Sequence, residues 1–149
     1  MLIIEPGDPR DPQVTALLQS SHNLMTTLFS PEENYFLSID ALCEPGVHFF
    51  VAREGDLVFG TGAMTEKDTY AEVKSMFTSN EARGKGVAAA ILRALEDHAQ
   101  SIGLSALKLE TAEALDAAIR LYERNGFIRC GLFGDYSPND TSVFMEKQL

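Results

Sequence analysis

Stretches of period-two alternation, interleaved with stretches of helical period, predict a protein of the α/β or α+β class built on a sheet of mixed direction. Three observations carry this. The segment "VHFFVAREGDLVFGTGAM" (residues 47–64) reads as two strands around a turn at Glu54-Gly55-Asp56. Two amphipathic helical stretches run into glycine, at Gly103 and Gly126, and each is followed by a strand-like run. No repeat, low-complexity tract or linker interrupts the 149 residues, which are expected to form one domain, 1–149.

The elements follow in order. "LIIE" is a short strand stopped by "PGDPRDP". From Asp11, the spacing of Val14, Leu17, Leu18, Leu24 and Leu28 predicts a helix with an interruption near "SSHN". "SPEENYFLSIDAL" reads as a second helix, with Ser30 as cap, Pro31 at the first position and Glu33 completing a capping box. "YAEVKSMFT" follows the hairpin as a strand on which Glu72, Lys74 and Met76 share one face, and Val73, Ser75 and Phe77 the other. The helix after "RGKG" extends to about Ile102, with Val87, Ile91, Leu95 and Ile102 on its buried side. "LSALKLET" is a strand, "EALDAAIRLYERN" a helix, and "FIRCGLF" and "TSVFMEKQL" are closing strands.

Composition excludes several classes of function. A formal charge of −10 offers no general basic surface for nucleic acid. No apolar run is long enough to span a membrane, and "MLIIEPGDPR" lacks the features of a signal peptide, so a cytoplasmic protein is expected. Cys43 and Cys130 are expected to be reduced and buried. His22, His48 and His98 lack metal-ligand spacing, and no metal is expected; His98 is read as a packed histidine.

The stretch "SNEARGKGVAAAILRALEDHA" (residues 79–99) calls for a ligand. The first amides of a helix have no intrahelical acceptor, and the helix dipole adds positive charge there. Gly84 and Gly86 let backbone approach an anion, while Arg83 and Lys85 supply full charges. These are the requirements of a pyrophosphate cradle. The G-x-G-x-x-G dinucleotide fingerprint and the P-loop pattern are both absent.

"RGKGVA" matches R/Q-x-x-G-x-G/A at Arg83, Gly86 and Ala88 and resembles the acetyl-CoA signature of the Gcn5-related N-acetyltransferase (GNAT) superfamily. "AEVKSMFT", "LYERNGF" and "GLFGDYSPNDTSVFMEKQL" are similar to that family's central strand, tyrosine-bearing helix and closing hairpin, the last in a bacterial small-molecule branch. The resemblance covers residues 47–149 and, more loosely, the first 46. It implies a mixed, strongly twisted sheet of six to seven strands with four helices. A V-shaped gap would open between "AEVKSMFT" and "ALKLET". Acetyl-CoA would lie there, with pantetheine on the peptide groups of Met76, Phe77 and Thr78 and pyrophosphate on Arg83, Gly84, Lys85, Gly86, Val87 and Ala88. Leu115 stands where members often carry Asn or Gln, Thr78 where valine is commoner and Asn80 where proline is commoner.

The implied reaction is direct transfer of acetyl to a primary amine of a small molecule or amino acid in a ternary complex. An alkylamine of pKa about 10 is only about one part in a thousand neutral at pH 7, a cost of roughly 4 kcal/mol unless a base assists. Glu72 is the candidate base, with pairing to Lys74 as its alternative. Tyr122 is the candidate acid for the departing thiolate, and a backbone N–H near Phe77 would meet the oxyanion, since no side-chain donor is evident there. Lys74 and Tyr136 are candidate acceptor-binding residues. The resemblance also allows a homodimer, and two other readings: a non-catalytic CoA-binding regulator, or a peptide or protein N-acetyltransferase.

Overall fold

The first strand of the computed structural model, which describes residues 1–149, is β1 (Ile3–Pro6), and "PGDP" ends it. Asp11 then caps α1 (Pro12–Leu28) by accepting from the Gln13 N–H at 3.1 Å, with Pro12 at the first helical position. This helix is continuous, without the interruption expected at "SSHN", because Val14, Leu18 and Ser21 keep one buried stripe through that point.

The expected second helix does not form as one piece. Glu33 does accept from the Ser30 N–H at 2.9 Å, but only a single turn, Pro31–Glu33, follows. Asn34 is extended, its side chain donates back to the Phe29 and Ser30 carbonyls, and a four-residue helix α2 (Ile39–Leu42) starts afresh at Ser38. The intervening aromatic residues, Tyr35 and Phe36, line cavities instead of a helix face.

Strands β2 (Val47–Glu54), β3 (Leu57–Glu66) and β4 (Tyr70–Thr78) form an antiparallel meander, with a tighter turn at Gly55-Asp56 than expected. Helix α3 (Val87–Ser101) crosses to β5 (Ala106–Ala112), which runs parallel to β4. Helix α4 (Asp116–Arg124) leads to β6 (Ile128–Arg129) and β7 (Ser142–Gln148), giving the order β1-β2-β3-β4-β5-β7-β6. Only two residues of "FIRCGLF" are strand, although the Cys130 N–H still donates to the Phe144 carbonyl.

The two faces carry separate apolar cores. Val87, Ile91, Leu92 and Leu95 of α3, with Ile119 and Tyr122 of α4, pack on Met64, Ala71 and Val73. Val14 and Leu18 of α1 pack with Leu42 on Phe49, Val51 and Ala63. Each fully buried aliphatic side chain contributes about 1.5–3 kcal/mol. Gly60 and Gly62 let α3 lie close, since a Cβ there would meet Val87 at 2.7 Å and Ile91 at 2.4 Å. Three burial expectations fail. Cys130, just past β6, is only half-buried. Ile102 follows the last turn of α3 and is exposed, and Cys43, at the end of α2, is exposed as well. No helix is long and apolar enough to cross a membrane.

Candidate active site

Strands β4 and β5 pair only over Tyr70–Glu72 and Ala106–Lys108. Beyond Glu72 the partners of β4 lie on β3 alone, and β5 continues only with β7. From Val73 to Thr78 one edge of β4 is therefore free for another extended chain. The sheet opens as a V with its vertex at Glu72 and Lys108.

A bulge shapes this wall. The β3–β4 register shifts between Thr61 and Ala63, so Thr61 pairs with Phe77 while Ala63 pairs with Lys74. Ser75 is the extra residue, at φ 56°, the one non-glycine residue of the chain with positive φ. The insertion reverses the alternation expected from sequence. Met76 joins Val73 on the α3 side, packed against the larger core, whereas Phe77 lies on the face of Glu72 and Lys74. Met76 thus does not share a face with Glu72, and a simple period of two fails at Ser75.

At the open end of the V lies the loop. Gly84 and Gly86 sit at φ 81° and 77°, in the left-handed region, and Gly86 is the cap of α3. A Cβ at either would meet nothing within 4 Å, so conformation rather than space requires glycine here. The amides of Gly84, Gly86, Val87 and Ala88 have no acceptor in the protein. Arg83 and Lys85 enter no ion pair, and Lys85 lies 5.6 Å from the Phe59 ring centroid. Ser79 Oγ, where the chain leaves β4, is shielded and unpartnered. Unmet N–H and O–H donors beside two free cations fit a pyrophosphate, and the free edge of β4 fits the chain attached to it.

The cleft within the V encloses about 160 Å³. Val73, Ser75 and Met76 line one side, Glu110 and Thr111 the other, and Leu115, Ala118 and Tyr122 of α4 close it. Tyr122 is 7% exposed and stacks edge-on with Phe127. Its hydroxyl makes no hydrogen bond in the protein, and burial, with Glu110 nearby, pushes its ionisation well above the ordinary phenol range. It stays a proton donor at any working pH. Glu110 receives a hydrogen bond from Ser142 Oγ at 2.7 Å on one oxygen, leaving the other without a partner. Burial raises its carboxyl above the usual range, against the opposing pull of Ser142 and of Lys74. Sequence reading overlooked Glu110. Its signal was a carboxylate on a strand already expected to border the gap.

A second cavity of about 410 Å³ adjoins the cleft and shares Tyr35, Phe36 and Lys74 with it. Tyr70, Tyr136, Glu72, Lys67, Gly134 and Asp135 complete the lining. Lys74 donates to the Tyr35 carbonyl at 3.0 Å and to Tyr136 Oη at 2.8 Å, and pairs with Glu72 Oε2 at 3.2 Å. Two of its N–H donors are hydrogen-bonded and Glu72 pairs with its charge, so a substrate carboxylate would have to compete with Glu72 for the cation. The Tyr136 hydroxyl in turn donates to Glu72. Burial, reinforced by that contact, drives the Tyr136 ionisation far up. Glu72 thus lies in the second cavity and Glu110 in the cleft. A separate cavity of about 430 Å³, lined by Asp8, Arg10, His48 and His98, shares no residue with either and touches neither loop nor strand gap.

Comparison with known proteins agrees with this architecture. Residues 15–127 match the model of the acetyltransferase (GNAT) family. The chain is 38% identical over 143 residues to an IAA acetyltransferase of Azospirillum brasilense, covering 95% of this chain and 94% of that one. It is 39% identical over 140 residues to the uncharacterized N-acetyltransferase YsnE of Bacillus subtilis strain 168, covering 92% and 93%. Among solved structures, a Klebsiella pneumoniae protein assigned as an acyl-CoA N-acyltransferase superposes with a TM-score of 0.83 at 30% identity, covering 100% and 98%. The chain belongs to the GNAT family of acetyl-CoA-dependent N-acetyltransferases.

Proposed function

We propose that this enzyme acetylates the primary amine of a small molecule, which enters through the 410 Å³ cavity and meets the thioester in the V-shaped cleft. One observation carries the reading: a cavity of small-ligand size shares a wall with the cleft that holds Tyr122 and Glu110. Three of the four tyrosines, with Phe36, line that cavity and suit an acceptor with an apolar or aromatic body. The activity named for the Azospirillum relative is in keeping with a small acceptor.

Acetyl-CoA supplies a thioester whose carbonyl carbon gains a bond to nitrogen and loses its bond to sulfur, sulfur leaving with the electron pair. Glu110 takes the proton that the amine gives up; its raised proton affinity favours that transfer. Tyr122 holds its proton toward the position of the sulfur. Burial keeps the phenol protonated, and a thiolate leaving into the same cleft would take that proton. The loop amides and Arg83 and Lys85 hold the pyrophosphate, and Met76, Phe77 and Thr78 align pantetheine along the free edge. Glu72 and Tyr136 hold Lys74 in the acceptor wall. A second reading keeps Glu72 as the base, because it lies in the cavity through which the amine arrives.

A panel of aliphatic, aromatic and amino-acid amines together with peptides, assayed for CoA release, tests the proposal. Turnover on small amines and none on peptides is expected. Turnover confined to peptides would assign the cavity to an N-terminal residue instead.

A further inference from the structure

Ser75 carries two costs that a glycine in its place would avoid. Its φ of 56° lies in the left-handed region, unfavourable for a side chain with a Cβ. Its Oγ is shielded from water and has no hydrogen-bond partner in the protein. The conformation is held from the far side: Thr61, fully buried on β3, donates its hydroxyl proton to the Ser75 carbonyl at 2.8 Å. Strain that a dedicated hydrogen bond maintains, beside an unmet hydroxyl, points to a ligand rather than to packing.

The position selects which ligand atom. Ser75 lines the cleft with Glu110 and Tyr122 and does not line the acceptor cavity. Along the free edge it lies between the vertex at Glu72 and the Met76–Thr78 segment nearer the pyrophosphate loop. We propose that the Ser75 hydroxyl donates a hydrogen bond to the acetyl carbonyl oxygen, as a side-chain donor in the oxyanion site. The inference rests on the reading of the cleft as the acetyl-transfer site. Ser75 keeps its own proton throughout. It meets the negative charge that builds on oxygen while the carbon–nitrogen bond forms, and the charge returns to the carbonyl as the carbon–sulfur bond breaks.

The test is Ser75→Gly, which relieves the strain while deleting the hydroxyl, with Ser75→Ala as its companion. Acetyl-CoA labelled with ¹³C at the carbonyl is added to wild type and variants, with calorimetry for affinity and single-turnover transfer to an amine for rate. For Ser75→Gly, binding within about threefold of wild type is expected, with unchanged or higher thermal stability. The bound carbonyl resonance should lie upfield of its wild-type position, and the transfer rate should fall at least about 10-fold. A wild-type resonance and rate in Ser75→Gly would overturn the role of Ser75 and leave the cleft reading standing. Failure of wild type itself to bind acetyl-CoA would overturn both.

Discussion

Lys74 Nζ and Tyr136 Oη lie 2.8 Å apart and tie β4 to the β6–β7 connection across the wall of the acceptor cavity. Glu72 accepts a hydrogen bond from Tyr136 and forms an ion pair with Lys74, which also donates to the Tyr35 carbonyl. Three side chains and one carbonyl from distant parts of the chain thus meet in this wall of the cavity.

Lys74→Met should therefore act on stability as well as on substrate. It strips the cation from Glu72, which is 6% exposed, and breaking a buried pair typically costs about 3–5 kcal/mol. Tyr136 still donates to Glu72, so a loss near 3 kcal/mol is expected, about 6–12 °C in melting temperature for a chain of this size. Tyr136→Phe should cost less, about 1–3 kcal/mol. Both should raise KM for small amines while leaving acetyl-CoA affinity within about threefold. Thermal melts with initial-rate kinetics check this.

In the proposed pyrophosphate cradle, backbone amides would matter as much as charge. Gly86→Ala forces a Cβ onto a residue at φ 77° that also caps α3, although the surrounding space is open. A destabilisation of about 1 kcal/mol and weaker acetyl-CoA binding are expected. Arg83→Ala with Lys85→Ala should leave the fold intact and weaken binding by 10-fold or more at low salt, the difference shrinking as ionic strength rises. Calorimetry at two salt concentrations decides whether these cations meet phosphate.

The pH profile separates the two carboxylates. A general base works deprotonated, so kcat/KM should rise with pH through the carboxyl value of Glu110, which burial places above the ordinary range. Glu110→Gln should remove that limb and lower kcat by about 10²-fold or more. Glu72→Gln should keep the limb and act mainly through KM and stability. A missing limb in Glu72→Gln alone would transfer the role of base to Glu72.

A separate pH effect concerns folding. His98 donates to or accepts from His48 at 3.0 Å, and His48 meets Glu66 at 3.1 Å. Burial and His48 lower the His98 value below 6.5, against the pull of Glu66, and burial lowers that of His22 likewise. The unfolded chain therefore binds more protons just below pH 6.5. Stability should be full above that pH and fall as pH drops toward the folded values. Denaturant titrations at pH 7.5 and 5.5 should show this loss, and His98→Gln should reduce it.

Local signals were the legible ones. The loop from Arg83 to Ala88 declares itself by composition, and α4 by the spacing of Ala118, Leu121 and Tyr122 against exposed Arg120 and Glu123. The strand gap followed from family resemblance, not from alternation. Two features stayed hidden for physical reasons. A bulge at Ser75 inserts one residue without a glycine to mark it, so the faces of Met76 and Phe77 exchange unseen. Glu110 looks like any strand carboxylate until the sheet splits and leaves it beside Tyr122. The break in "SPEENYFLSIDAL" has the same character, since Tyr35 and Phe36 are drawn to cavity walls that only the folded chain creates.

Single-turnover acetyl transfer by Tyr122→Phe, followed from pH 7 to 9, tests the central claim most directly. The substitution keeps the ring that packs on Phe127 and removes only a hydroxyl that bonds to nothing in the protein. Normal folding, near wild-type acetyl-CoA affinity and a chemical step slower by at least about 10-fold are predicted. A chemical step at the wild-type rate across that range would make Tyr122 a packing residue and contradict the account.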